Sequence, residues 1–456
     1  MKLPDSFIKR MEKILGSDAG AFFAAHDMAP VKAFHLNKAR IDAAAFEEWL
    51  SAQNSLFAVK MPGGYGYSYS FSDDSTIGSL PLHHAGAIYS QDPSAMLPAG
   101  CLDIQKDMRI LDMCAAPGGK TSQLAMAVDG GSGFVLANEP NLSRNKILIS
   151  NIERMGYRNV ITSCLEPADI AAVYPEYFDL VLVDAPCSGE GMFRKYPDSI
   201  NEWSPENVAA CALRQKEILK AAVQCLKPGG LLVYSTCTYA PEEDEEQVEY
   251  LTADLGLTVA NAPQTVRDLA LCSAPGCYRC YPHLYEGEGQ FMAYLSKPGE
   301  LTKNSEVSDR LPSGIKTADK AALKSLKESC GDLFEPCSLL SYKDRYIILP
   351  SFPGVLPSHG ITSLGVTAAV FDEKKKRYIP HHQFFSAYGK QLSKRLELNP
   401  GDPLVKQYIE GMELTADMSF SKGFGAVCVL GVPLGGFRCA GGRLKNLYPK
   451  GLRDHL

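Results

Sequence analysis

The chain has 456 residues, a length that predicts about three domains, and its 45% apolar and 21% charged composition is that of an ordinary globular protein. A net charge of −6 excludes a uniformly basic nucleic-acid binder, so contact with a polyanion must come from local patches. No apolar run reaches membrane-spanning length and no signal-peptide core opens the chain, so its fourteen cysteines are read as reduced, in a cytoplasmic protein.

In chain order, residues 1–105 form a mixed α+β module. Phe7, Met11, Ile14 and Leu15 recur at helical spacing, Asp42 to Ser51 reads as a second helix, and the stretch from Gly63 to Phe71 alternates like a strand after a glycine turn. Lys32, His35, Lys38 and Arg40 could touch a polyanion, although a solvated surface explains them more simply. From 106 to 296 the pattern becomes strand–helix alternation. Strands are expected at Arg109–Leu111, Gly133–Asn138, Asn159–Thr162, Asp179–Asp184, Leu231–Ser235 and Gly289–Leu295. Helices are expected after Ser122, from Leu142 to Met155 and from Glu206 to Leu226, the last stopped by Lys227-Pro-Gly-Gly. Pro241 opens a further helix, and its run Glu242 to Glu246 reads as acids complementing a helix dipole. The expected class is a doubly wound, Rossmann-like α/β core. Residues 297–320 have linker composition, 321–385 form an accessory module and 386–456 a last small module. The tail of that module carries Arg438, Arg443, Lys445, Lys450 and Arg453 without an acid, interleaved with Phe437 and Tyr448, a mixture suited to RNA backbone and base stacking.

The stretch Asp112-Met-Cys-Ala-Ala-Pro-Gly-Gly-Lys-Thr121 joins a strand to a helix through a Pro/Gly turn, which can bring main-chain N–H groups close to a ligand. A phosphate-binding P-loop requires glycine five residues before Gly119, where Cys114 stands, and Pro117 lacks a donor. The dinucleotide fingerprint is also absent. Glu139 ends the second strand, placed to accept from ribose hydroxyls. Asp184-Ala-Pro-Cys187 follows the fourth strand and Ser235-Thr-Cys237 the fifth, so an acid and two cysteines meet at the carboxyl edge where open α/β sheets bind ligands. A cysteine by itself is more often packing than nucleophile; two at one crevice are not. Cys272, Cys277, Cys280 and His283 do not make a convincing four-ligand zinc set, and no metal is expected.

These motifs resemble the Nop/Sun family of RNA cytosine-C5 methyltransferases, most closely its bacterial RsmF branch, which acts on small-subunit ribosomal RNA. The resemblance is carried by Asp112–Thr121, Asp184-Ala-Pro-Cys-Ser-Gly-Glu-Gly-Met-Phe-Arg-Lys195, Leu226-Lys-Pro-Gly-Gly-Leu-Leu-Val-Tyr-Ser-Thr-Cys-Thr238, Gln91–Met96 and Gly441–Lys450. It implies S-adenosyl-L-methionine as cofactor, held by Cys114, Ala115, Ala116, Pro117, Gly118, Gly119, Lys120 and Glu139, with Asp184 between cofactor and base. It further implies Cys237 as the nucleophile that adds to C6, Cys187 as the residue aiding product release, a PUA-like C-terminal RNA-binding module, and 16S ribosomal RNA or the small subunit as partner of a monomer. The residues alone leave the nucleophile open, because Pro-Cys is the nucleophile of cytosine-C5 DNA methyltransferases. Gln290 stands where the family has histidine, and no residue around Thr162 to Asp169 matches an adenine contact. A transfer-RNA methyltransferase, a non-enzymatic ribosome-assembly factor and a nicotinamide-dependent oxidoreductase are the rival expectations.

Overall fold

The computed structural model describes residues 3–302, 311–331, 339–349, 354–374, 376–415 and 420–453. Its centre is a sheet in the order Val160–Ser163, Phe134–Asn138, Arg109–Asp112, Phe178–Asp184, Leu226–Thr236, all parallel. Gln290–Ser296, Cys277–Cys280 and Leu271–Ala274 then continue it as antiparallel strands. The parallel strands are short apolar runs because helices cover both faces. Alternate residues feed two layers: Leu111, Val181 and Leu232 enter one, Ile110, Leu182 and Val233 the other. The strand order reverses beside Arg109–Asp112, which puts a crevice at the carboxyl ends of that strand and of Phe178–Asp184.

Local chemistry explains the helix limits. Asn141 accepts from the Ser143 and Arg144 amides to start Leu142–Met155, and Gly156, at φ 69°, ends it. Ser204 caps Pro205–Cys225 at its start. The Lys227-Pro-Gly-Gly segment does not form a separate loop; it belongs to the strand Leu226–Thr236, with Lys227 buried and ion-paired to Asp179 at 2.6 Å. The acidic run after Pro241 also differs from expectation. A short 3-10 turn, Pro241–Glu243, precedes the helix Glu245–Ala253, and Glu243 and Asp244 are fully buried, with Asp244 paired to Arg279 at 2.8 Å. They hold the core together instead of facing solvent.

The N-terminal module carries an antiparallel sheet ordered Leu56–Lys60, Tyr67–Phe71, Lys32–Leu36, Ile88–Ser90. Of His35 and Arg40, expected at the surface, His35 is buried and Arg40 half-buried. His35 contacts Gln91 and Ser122, and Arg40 donates to the carbonyls of Arg154, Ser386 and Pro433. Beyond the core, residues 303–310 of the expected linker lie outside the described residues, while Ile315–Thr317 within it is already a strand of a second antiparallel sheet. Ile361–Leu364, from the expected accessory module, pairs antiparallel with Val160–Ser163 and closes that edge of the core sheet. A last five-stranded sheet spans Arg395–Asn446. Its Phe437 and Tyr448 are buried, not free to stack on bases. Phe437 joins the apolar cluster that the C-terminal sheet shares with Phe34 and Phe46 of the N-terminal module, and the His84 ring bonds the Tyr448 hydroxyl at 2.9 Å.

Candidate active site

A cavity of about 370 Å³ opens at the carboxyl edge of the core sheet. The turn after Arg109–Asp112 forms one wall through Cys114, Ala115, Ala116, Pro117, Gly119 and Lys120; Asp184 and Cys237 stand opposite. The turn needs its glycines. Gly118 sits at φ 111°, where a side chain is strained, and a Cβ there would meet Leu148 at 3.1 Å. A Cβ on Gly119 would press on the Gln91 amide at 3.0 Å.

Asp184 ends its strand with both oxygens engaged. Ser235 Oγ donates to one at 2.6 Å, with Gln290 Nε2 at 3.4 Å, and Lys120 Nζ donates to the other at 2.7 Å. Gln290 thus takes a place in the site at the position where the sequence pattern departs. Cys187 Sγ and Cys237 Sγ are 3.3 Å apart. Their two loops are stitched together: Gly191 N donates to Cys237 O at 2.9 Å, Ser188 and Thr238 hydroxyls meet at 2.8 Å, and Tyr239 N donates to Glu190 at 3.1 Å. Glu243 accepts from Ser188 N at 3.0 Å and from Gln215 at 2.9 Å. The contact with Cys237, and then burial, push the Cys187 thiol well above its ordinary range. Burial pushes Asp112, which receives Thr121 Oγ1 at 2.6 Å, up to about 7.

Glu139 is buried at the end of its strand but does not line the cavity. It accepts from Asn141 N at 3.0 Å and is ion-paired with Arg144 at 3.4 Å. Sequence reasoning assigned no individual role to Tyr89, to Met192 and Lys195, or to the exposed Tyr196, all of which line the cavity, and had Asp112 only as the first residue of the ligand turn. Only the Gln91–Met96 and Asp184–Lys195 motifs hinted at this wall. Cys277 and Cys280 lie three apart on one strand and enter opposite apolar layers, so they cannot share a metal. Among the described residues no three His, Cys, Asp or Glu side chains are grouped to hold an ion.

The arrangement supplies a small-ligand cradle, a fixed carboxylate and the Cys237 sulfur in one crevice, with Cys187 outside its lining but touching Cys237. Comparison with known proteins adds the family. Residues 3–93 match the model for the N-terminal domain of 16S rRNA methyltransferase RsmF, 99–296 that for 16S rRNA methyltransferase RsmB/F, and 395–454 that for the RsmF PUA domain. Ribosomal RNA small subunit methyltransferase F of Klebsiella pneumoniae strain 342 is 33% identical over 396 residues, covering 82% of this chain and 80% of the relative. The Cronobacter sakazakii protein of the same name is 30% identical over 472 residues, covering 99% and 96%. A methyltransferase homolog from Pyrococcus horikoshii has 27% identity and a TM-score of 0.57, covering 64% of this chain and 95% of its own. The structure of NSun6 from the same organism with SFG, at 21% identity and TM-score 0.56, covers 65% and 99% and shares the fold. With all three modules matched and relatives aligned along nearly the whole length, this chain belongs to the RsmF family of 16S rRNA methyltransferases.

Proposed function

We propose that the protein methylates C5 of cytosine in 16S ribosomal RNA, with S-adenosyl-L-methionine as donor and a transient bond between Cys237 and cytosine C6. The observation that carries this reading is Cys237, which lines the same cavity as Asp184, with the Cys187 sulfur 3.3 Å behind it. Asp112 supports the fit of the cofactor: its buried Oδ1 has no hydrogen-bond partner among the described residues and suits a cationic amino group. The turn from Cys114 to Lys120 would hold the methionine portion, and Glu139, once Arg144 moves aside, the ribose hydroxyls. When bound, the cofactor supplies an electrophilic methyl group.

The chain's own residues do the rest. Cytosine C5 is a poor nucleophile until a thiolate adds to C6. Cys237 Sγ makes that bond, with electrons moving toward N3 and C5. Asp184, held by Lys120 and Ser235, shares a proton with N3 and stabilises the charge that develops. After methylation the C5 proton passes to solvent water as base, its bonding pair re-forms the C5–C6 double bond, the sulfur–C6 bond breaks and Cys237 departs as thiolate. Cys187, kept protonated, is in reach to hydrogen-bond that sulfur. This division of roles, and not Pro-Cys as nucleophile, fits the cavity, which Cys237 lines and Cys187 does not. The target base must be unstacked to enter. We assign catalysis to residues 106–296, with the 1–105 and 386–456 modules positioning RNA, the 297–320 and 321–385 segments joining them, and the protein acting as a cytoplasmic monomer.

Cys237→Ala should abolish turnover, and Cys187→Ala should accumulate a covalent RNA–protein band on a denaturing gel. The reverse pattern overturns the assignment. Bisulfite sequencing of 16S ribosomal RNA with and without the gene tests the substrate; an unchanged cytosine pattern refutes it and directs the search to transfer RNA.

A further inference from the structure

A second opening, a groove of about 750 Å³, lies between the N-terminal sheet and the segment Pro282–Gly287 of the core. Four large apolar side chains at its walls are solvent-exposed: Met28 (66%), Phe57 (55%), Val59 (69%) and Leu284 (56%). Isolated exposed apolar residues need no explanation, but several around one concavity mark an interaction surface. The strand Leu56–Lys60 explains part of the exposure. Its outward residues Phe57 and Val59 pair across the sheet with Ser70 and Ser68, which are too small to cover them.

The groove neighbours the candidate active site along two stretches of chain. It ends at Arg194 and Gly287, while Lys195 and Gly289, one and two residues further on, line the catalytic cavity. Tyr196, exposed at that junction, lies under the Lys195 ammonium at 5.7 Å. The charges in the groove are few. Lys32 and Glu286 offset one another, and the Arg194 guanidinium is occupied by Glu288 at 3.0 Å. A trough whose cations are matched by acids, with apolar side chains on its walls, suits flat base faces better than phosphates.

We propose that this groove receives unstacked bases next to the target cytosine, in a single-stranded stretch of the substrate RNA, with Phe57 as the stacking platform. The inference rests on the RNA methyltransferase reading above. Extracting one base from a stack leaves its neighbours without partners, and an aromatic ring in the neighbouring groove restores one of those contacts without reading sequence.

The test uses full-length protein and deproteinised 16S ribosomal RNA from cells lacking the gene, with a labelled methyl donor. Phe57→Ala should raise KM for RNA roughly 5- to 100-fold, the equivalent of one lost base–aromatic stack. The turnover number and the affinity for S-adenosyl-L-methionine should stay unchanged, and Phe57→Trp should retain the wild-type KM. RNA carrying 4-thiouridine beside the target cytosine should photo-crosslink within 56–60 of the wild-type protein. A Phe57→Ala KM within twofold of wild type, together with no crosslink, overturns the proposal; it would leave the groove and its open strand edge to a protein partner. If the wild-type enzyme methylates transfer RNA instead, the same comparison on that RNA decides the groove. Wild-type inactivity on every RNA refutes the function and the groove together.

Discussion

Replacing Arg279 with methionine isolates the buried charge network behind Cys237. Arg279 is ion-paired with Asp244 at 2.8 Å and donates through Nε to Glu245 at 2.8 Å. Asp244 in turn receives Thr236 Oγ1 at 2.6 Å, on the residue just before Cys237. Because Asp244 is fully buried, removing the guanidinium leaves a carboxylate that must stay charged without a partner or take a proton. The first route costs about 3–5 kcal/mol. Protonating an aspartate at pH 7 costs about 4 kcal/mol, at about 1.4 kcal/mol per pH unit above its ordinary value, so the loss is capped near that figure. At pH 5 the cap drops to about 1.5 kcal/mol. The sign follows from what the variant loses: burial pushes Asp244 up and Arg279 holds it down, so without the guanidinium the carboxyl rises further, favours the folded state below its unfolded pKa and loses that contribution as pH rises. Urea unfolding at the two pH values, followed by circular dichroism, should therefore show Arg279→Met much weaker at pH 7 and closer to wild type at pH 5. Adding Asp244→Asn, which removes the stranded charge, should recover most of the loss. A pH-independent defect, or a double variant no more stable than the single one, would refute the reasoning.

Three further outcomes are expected. Burial raises Glu243 to about 7, so this group stabilises the fold below about pH 4.5 and loses that contribution as pH passes 7. Glu243→Gln should flatten the stability profile between pH 5 and 8 by up to about 3 kcal/mol, read from urea midpoints. Arg40→Met strands the carbonyls of Arg154, Ser386 and Pro433, which it bridges across three parts of the chain. It should cost about 3 kcal/mol and speed proteolytic release of a C-terminal fragment, whereas unchanged digestion would make Arg40 dispensable to module docking. Gly118→Ala forces a side chain into a left-handed conformation against Leu148, and calorimetry should show at least about a tenfold loss of S-adenosyl-L-methionine affinity with circular dichroism unchanged.

Much of the core was legible locally. Helix Leu142–Met155 follows from Asn141, Gly156 and its apolar spacing, and the strand Phe178–Asp184 from an unbroken apolar run. Asp184, Cys187 and Cys237 could be placed at one edge because parallel strands put their carboxyl ends on the same side. Other features had no local signal. Phe437 and Tyr448 sit among cations, as a stacking surface would have them, yet a shared core with the N-terminal module buries both. Glu243 and Asp244 look like solvated helix-terminal acids, yet their partners Gln215 and Arg279 come from elsewhere in the chain.

By itself, then, the sequence determined the alternation of strands and helices, the glycine-dependent turn from Asp112 to Thr121 and the reactive groups at strand ends. These depend on backbone geometry and on residues close in the chain. Only the tertiary structure decided that Cys187 and Cys237 touch, that Lys120 and Gln290 converge on Asp184, that Ile361–Leu364 closes the sheet, and that Phe57 remains open in the groove. Contacts between residues fifty to two hundred positions apart are set by how layers pack and which faces they cover, and composition and spacing do not encode that.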